Sequence, residues 1–92
     1  MKIGFSLEAR KDLVRLKEFI SIKNPKAATQ IATELIKGID HLTEYSDMGK
    51  PVKQAPEPDA LRDIFILDYH IRYLKLSKDI IIVRIWHQKE NR

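Results

Sequence analysis

The sequence has no cysteine, only three glycines and a single tryptophan among its 92 residues. Without cysteine there is no disulfide scaffold, no thiol nucleophile and no cysteine-ligated zinc site. The few glycines form no phosphate-binding loop, and no His-Glu-x-x-His pattern is present. His41, His70 and His87 are too scattered to predict a metal site, so no metal and no cofactor are expected. Ser6, Ser21, Ser46 and Ser77 lack the turn context of a hydrolase nucleophile. No apolar run approaches the roughly 18 residues of a membrane span. Met1-Lys2-Ile3-Gly4-Phe5 has none of the apolar length of a secretory signal. The expectation is a cytoplasmic protein with no membrane partner.

What is present is the mixture of a folded domain, with 43% hydrophobic and 33% charged residues. The length accommodates one domain over residues 1–92. A chain this short buries only about two-thirds of its unfolded surface, so added stability from a partner is a natural expectation. The net charge is +4 and the pI about 9.4. Residues 1–26 and 61–92 are net basic, whereas residues 27–60 are net acidic. If the two ends meet they form one basic face suited to nucleic acid or an acidic protein. An ordinary solvated surface accounts for the same pattern.

Hydrophobic spacing gives the elements. Ile3 and Phe5 alternate with Lys2 and Gly4, a short strand. Ser6 is a plausible helix cap with Glu8 in the first turn. Ala9, Leu13, Leu16 and Ile20 then mark one helix face, which leaves Arg10, Lys11, Arg15 and Lys17 largely on the outside. Asn24-Pro25 punctuates the chain, because Asn caps and Pro suits the first helical position. Ala28, Ile31, Leu35, Ile39 and Leu42 define a second helix, and Gly38 within it offers room for the first helix to approach. So short a joint predicts an antiparallel helical hairpin. Residues 45–60 read as a loop rich in breakers, including Asp47, Gly49, Pro51, Pro56, Pro58 and Asp59. Leu61–Leu67, Tyr69–Leu76 and Ile80–Trp86 read as strands, the last two joined by Ser77-Lys78-Asp79 as a hairpin. Ile80–Trp86 is apolar on both faces for most of its length, which predicts a central strand. The expected fold is α+β, a small sheet packed against an N-terminal helical hairpin in the order β-α-α-β-β-β.

Arginine inside apolar strands is the main chemical signal. Strict alternation puts Arg84 on the face of Ile82 and Trp86. A charge there must reach a carboxylate or point into a site. Arg62 opens the first strand after the loop, and Arg72 lies between Ile71 and Tyr73. Each could equally lie along the sheet with its head in water, or close an ion pair. Asp63 and Asp68 read as surface charges beside basic residues. Trp86 and Tyr73 could stack a base or fill the core. His87, at the end of the last strand, could transfer protons near neutral pH or be an exposed terminus. The basic outer side of the first helix could contact phosphates or simply be solvated.

The whole pattern resembles the RelE/ParE toxin superfamily of bacterial toxin–antitoxin pairs. The resemblance is carried by Phe5-Ser6, Ala9 and Asp12-Leu13, by Asn24-Pro25 with Ala27-Ala28, and by Gly49-Lys50-Pro51. It continues through Leu61-Arg62, Tyr69-His70-Ile71-Arg72-Tyr73 and Ile82-Val83-Arg84-Ile85-Trp86-His87-Gln88-Lys89-Glu90. It implies a curved, mainly antiparallel sheet with a helical hairpin against it. It also implies a cognate antitoxin, with toxin and antitoxin forming a hetero-oligomer. Members similar to RelE cut messenger RNA in the ribosome using cations on the sheet and a tyrosine or histidine near the end of the chain. Members similar to ParE share the fold but poison DNA gyrase through protein binding. If this chain followed the first group, the resemblance would assign Arg62 and Arg84 to the phosphate, His87 to proton transfer and Lys89 to charge stabilisation, with Lys50 and Lys53 nearby. No tyrosine follows the last strand, and the helical hairpin is long. The resemblance therefore favours the ParE branch, with DNA gyrase as target. The ribosome with its mRNA is the alternative, as is a non-toxic member that only binds its antitoxin. Arg62, Arg72, Tyr73, Arg84, Trp86 and His87 are the candidate binding residues, together with the helix face of Arg10, Lys11, Arg15 and Lys17.

Overall fold

A computed structural model of the chain describes residues 2–54, 56 and 60–88. Strand β1 (Lys2–Phe5) leads into helices α1 (Leu7–Lys23) and α2 (Pro25–Asp40), followed by a single 3₁₀ turn (His41–Thr43). Strands β2 (Lys50–Pro51), β3 (Leu61–Ile66), β4 (Tyr69–Lys75) and β5 (Asp79–His87) complete the order. They form one open sheet in the order β1-β5-β4-β3-β2. β1 pairs with β5 in parallel and the other three pairings are antiparallel.

The helix boundaries are set by the expected caps. The Ser6 hydroxyl accepts from the Ala9 amide at 3.0 Å and starts α1. Asn24 ends α1 and caps α2 through the Ala27 amide at 3.2 Å, with Pro25 at the first position of α2. Ala9 and Leu16 from α1 and Leu35 and Ile39 from α2 pack on Ile64, Ile71, Tyr73, Ile80, Ile82 and Ile85 of the sheet, with Leu42 beside them. This is the core, and among the described residues the opposite sheet face carries no helix. Each fully buried Ile, Leu or Tyr in it contributes about 1.5–3 kcal/mol of transfer free energy.

Three sequence expectations change. The loop over 45–60 contains β2, whose Lys50 and Pro51 pair with Asp63 and Arg62. Pro51 fits there because an edge strand leaves one side of its ladder unpaired; Pro58 and Asp59 lie outside the described residues. Gly38 makes room for β3, not for α1, since a Cβ at Gly38 would stand 2.3 Å from the Ile66 Cδ1. The third change concerns β5. Tyr73 pairs with Ile82 but Arg72 pairs with Arg84, so Val83 is an extra residue in the ladder. This bulge inverts the alternation. Ile82 faces the helices, while Arg84 and Trp86 face the other way.

The bulge sits where β1 ends. Beyond Phe5, paired with Ile82, the edge of β5 is taken over by α1. The Ser6 amide donates to the Ile82 carbonyl at 2.9 Å, and the Ser6 hydroxyl donates to the Val83 carbonyl at 2.8 Å. Six residues further along the chain, within α1, Asp12 accepts from the Ile85 amide at 2.9 Å. Side chains of α1 thus complete backbone hydrogen bonds that β1 is too short to supply.

Candidate functional site

The strand register arranges the helix-free face in rungs. Leu61, Leu74, Ile81 and Gly4 form an apolar rung across four strands. The next rung on that face pairs Asp63 with Arg72 and Arg72 with Arg84. The rung after it pairs Phe65 with His70 and His70 with Trp86.

Two arginines directly opposite each other repel unless compensated. Here each has its own carboxylate. Arg72 donates from Nε and Nη2 to the two Asp63 oxygens at 2.9 and 3.1 Å. Arg84 donates in the same two-pronged way to Asp12 at 2.8 and 3.2 Å. The row therefore runs Asp63, Arg72, Arg84, Asp12, acid at both ends and base in the middle. Asp12 is only 4% exposed and also receives the Ile85 amide, with Arg15 approaching to 3.4 Å. Burial raises the Asp63 carboxyl, but hydrogen bonds from Arg72 and His70 outweigh it and hold Asp63 below the ordinary carboxylate range. The hydrogen bonds that Arg72 donates to Asp63 correspondingly raise Arg72.

Trp86 lies across this row. The Arg84 and Arg72 guanidinium carbons stand 5.2 and 5.4 Å from its ring centroid, both within cation–π range. His70 is buried between Phe65, stacked at 4.8 Å, and Trp86, tilted at 4.9 Å. Its Nε2 approaches Asp63 to 3.0 Å.

The other candidates lie elsewhere. Arg62 shares the helix-side face with Tyr73, its partner in the ladder. Its Nη1 donates to the carbonyls of Asp47 and Gly49 at 3.3 and 2.8 Å, tying the preceding loop to β3. Tyr73 is fully buried, accepts from the Gly49 amide at 3.0 Å and donates to the Ser46 carbonyl at 2.7 Å. Burial pushes its phenol up. Tyr73 is thus a core residue that closes a loop and offers no face to a base. Asp47 in the same loop pairs with Lys75, which holds its carboxyl below the ordinary range. His87 sits edge-on against Tyr69 with centroids 5.1 Å apart, on the helix-side face. Arg62 and His87 are two rungs, or four residues, apart on that face, about 13 Å along the strands. Arg84 is on the opposite face. Lys89 lies outside the described residues. Arg62, Arg84 and His87, the described members of the set assigned to RNA cleavage by resemblance, therefore do not converge.

On α1, Arg10, Lys11 and Lys17 are exposed, while Arg15 turns back to Asp12 and the Ile85 carbonyl. Leu7, Val14, Phe19 and Ile22 are exposed along the same helix, so its outer surface is apolar as well as basic. Between α1 and α2 opens a mostly apolar slot of about 90 Å³, lined by Leu13, Leu16, Ile20, Ile31 and Leu35 among others. The described residues contain no cluster of three metal-ligating side chains, and no helix long and apolar enough to cross a membrane.

Sequence reasoning missed Asp12 and misread Asp63. Asp12 falls between Ala9 and Leu16 on the buried stripe of α1, and that position is the signal that pairs it with a strand arginine. Asp63 reads as a surface charge until the register sets it opposite Arg72.

Comparison with known proteins agrees with this architecture. A profile of the ParE toxin of type II toxin–antitoxin systems, parDE, matches residues 3–92. Toxin RelE1 of Caulobacter vibrioides is 32% identical over 91 residues, covering 95% of this chain and 92% of that protein. A solved structure of the chromosomal ParDE TA system from P. aeruginosa matches with a TM-score of 0.77 at 16% identity, over 95% of each chain, a likeness of fold. The profile match over nearly the whole chain and the identity to a curated toxin together place this chain in the ParE toxin family of type II toxin–antitoxin systems.

Proposed function

We propose that this toxin acts by binding DNA gyrase and trapping it on broken DNA, without a catalytic residue of its own. One observation carries this reading: the residues a phosphodiester cleavage would require are separated. Arg84 is on one sheet face, Arg62 and His87 on the other, and both open-face arginines are held by carboxylates. General acid–base cleavage needs proton donor, acceptor and cation within hydrogen-bond reach of one phosphate. A protein-binding toxin needs no such convergence.

An antitoxin neutralises the chain in this reading, as the family membership implies. The apolar slot between the helices and the helix-free sheet face are the surfaces best suited to it. An extended or helical segment can cover both while losing ordering entropy on binding.

The test is DNA supercoiling by purified gyrase with the folded, antitoxin-free chain added, scored also for trapped cleaved DNA. Inhibition with trapped breaks is the expected outcome. A chain that arrests growth in cells but leaves supercoiling untouched refutes the reading and directs attention to ribosome-bound mRNA.

A further inference from the structure

The turn between β3 and β4 contains the only non-glycine residue with positive φ among the described residues, Leu67 at 54°. Ile66 and Tyr69 are the last paired residues, so Leu67 and Asp68 alone make the turn. Two-residue hairpins need positive φ, and glycine or asparagine normally provides it. A bulky branched side chain there is unusual and strained. Strain of this kind persists when packing offsets it, but Leu67 is 56% exposed. Phe65, at the same end of the sheet, is 55% exposed and stacked on His70. The turn is held in place by the Gln88 amide, which donates to the Asp68 carbonyl at 2.8 Å. Two large apolar side chains are thus displayed at the tip of a firmly anchored hairpin, one of them at a cost to the fold.

We infer that the Leu67 turn is a docking knob that inserts into an apolar pocket on a folded target protein, and that Phe65 forms its shoulder. The shape selects the partner. A projecting side chain needs a concave acceptor, which a folded protein supplies and an extended peptide does not. The charge points the same way: Asp68, exposed beside Leu67, disfavours a phosphate backbone at the turn itself. The identity of the target as gyrase rests on the reading above; the knob does not.

The experiment compares Leu67→Gly, Leu67→Asn and Leu67→Met with wild type for melting temperature, gyrase inhibition and growth arrest on expression. Gly and Asn relieve the backbone strain and delete the apolar knob; Met keeps an apolar side chain of similar volume. The expected result is an inverse response. Leu67→Asn melts at or a few degrees above wild type, and Leu67→Gly near it, because glycine also loosens the unfolded chain. Both lose about tenfold or more in inhibitory potency, the scale of a buried anchor at an interface, and both lose growth arrest. Leu67→Met retains both within about threefold, as a volume-conserving apolar swap does. Full potency and full arrest in Leu67→Gly overturn the knob. So does a large fall in melting temperature for both Gly and Asn, which would make Leu67 a structural residue. If wild type arrests growth without inhibiting gyrase, the gyrase reading fails alone, and the knob is judged by the arrest caused by the variants. A wild-type chain that neither arrests growth nor inhibits gyrase overturns both.

Discussion

Replacing Asp12 by alanine should be among the most damaging single changes in the protein. Asp12 is buried, and its two oxygens receive both prongs of Arg84 and the Ile85 amide. Removing it strands the Ile85 N–H at a position where α1 covers the strand edge, which costs about 1–3 kcal/mol. The Arg84 side chain is 38% exposed, so water takes over much of its lost pairing, and that contribution is discounted to about 1 kcal/mol. The total is about 2–4 kcal/mol against a folding stability on the order of 5–14 kcal/mol for a chain of this length. With about 4–8 °C of melting temperature per kcal/mol in a domain of this size, the expected fall is about 8 °C or more. Thermal melts followed by circular dichroism measure it. Asp12→Asn keeps one oxygen for the Ile85 amide and should lose less. Arg84→Ala leaves that amide bond intact but takes two charge-assisted bonds from the buried Asp12 carboxylate; it should lose about 1.5–3 kcal/mol, and the double variant Asp12→Ala/Arg84→Ala should be less destabilised than the sum of the two. A melting temperature for Asp12→Ala within about 3 °C of wild type would refute the claim that α1 and β5 are joined through this carboxylate.

Two further outcomes follow from the same geometry. Asp63 is held below the ordinary carboxylate range in the folded chain, so the native state binds fewer protons there than the unfolded state. Its contribution is present above about pH 4, the unfolded carboxylate value, and disappears as pH falls through the depressed folded value. Melts at pH 6 and near pH 3 should therefore show wild type ahead of Asp63→Asn at the first and by a smaller margin at the second; a gap unchanged between the two would be inconsistent. Tyr73→Phe removes the hydroxyl that receives the buried Gly49 amide and donates to Ser46. It should cost about 1–2 kcal/mol, with faster amide exchange at Gly49 but not at Ile85, and uniform exchange changes across the sheet would argue against a local loop latch.

The fold was legible because local and tertiary signals agree in most of the chain. Ser6, Asn24 and Pro25 cap the helices in the structure as their chemistry predicts, and the stripes Ala9–Leu16 and Leu35–Ile39 are buried. What the sequence hides is pairing between elements distant along the chain. β2 has two residues and no periodicity to detect. The parallel partnership of β1 with β5 joins the first residues to the last third of the chain, and no local pattern encodes it. Gly38 announced a close approach, yet only the tertiary packing says that Ile66 makes it.

The Val83 bulge shows most directly why the site was harder to read than the fold. Period-two alternation assigns Ile82, Arg84 and Trp86 to one face, and a single inserted residue reverses that for everything after it. The insertion is satisfied by Ser6, which caps α1 with the same hydroxyl that donates to Val83. The cap, the bulge and the placement of Arg84 are therefore one arrangement. Had β5 run without the bulge, Arg84 would face the helices as Arg62 does, and His87 would turn to the open face. With it, Arg84 turns to the open face, is balanced there by Asp12, and brackets Trp86 together with Arg72. One extra residue thus parts Arg84 from Arg62, and builds on the open face a charge-balanced aromatic surface suited to contact with another protein.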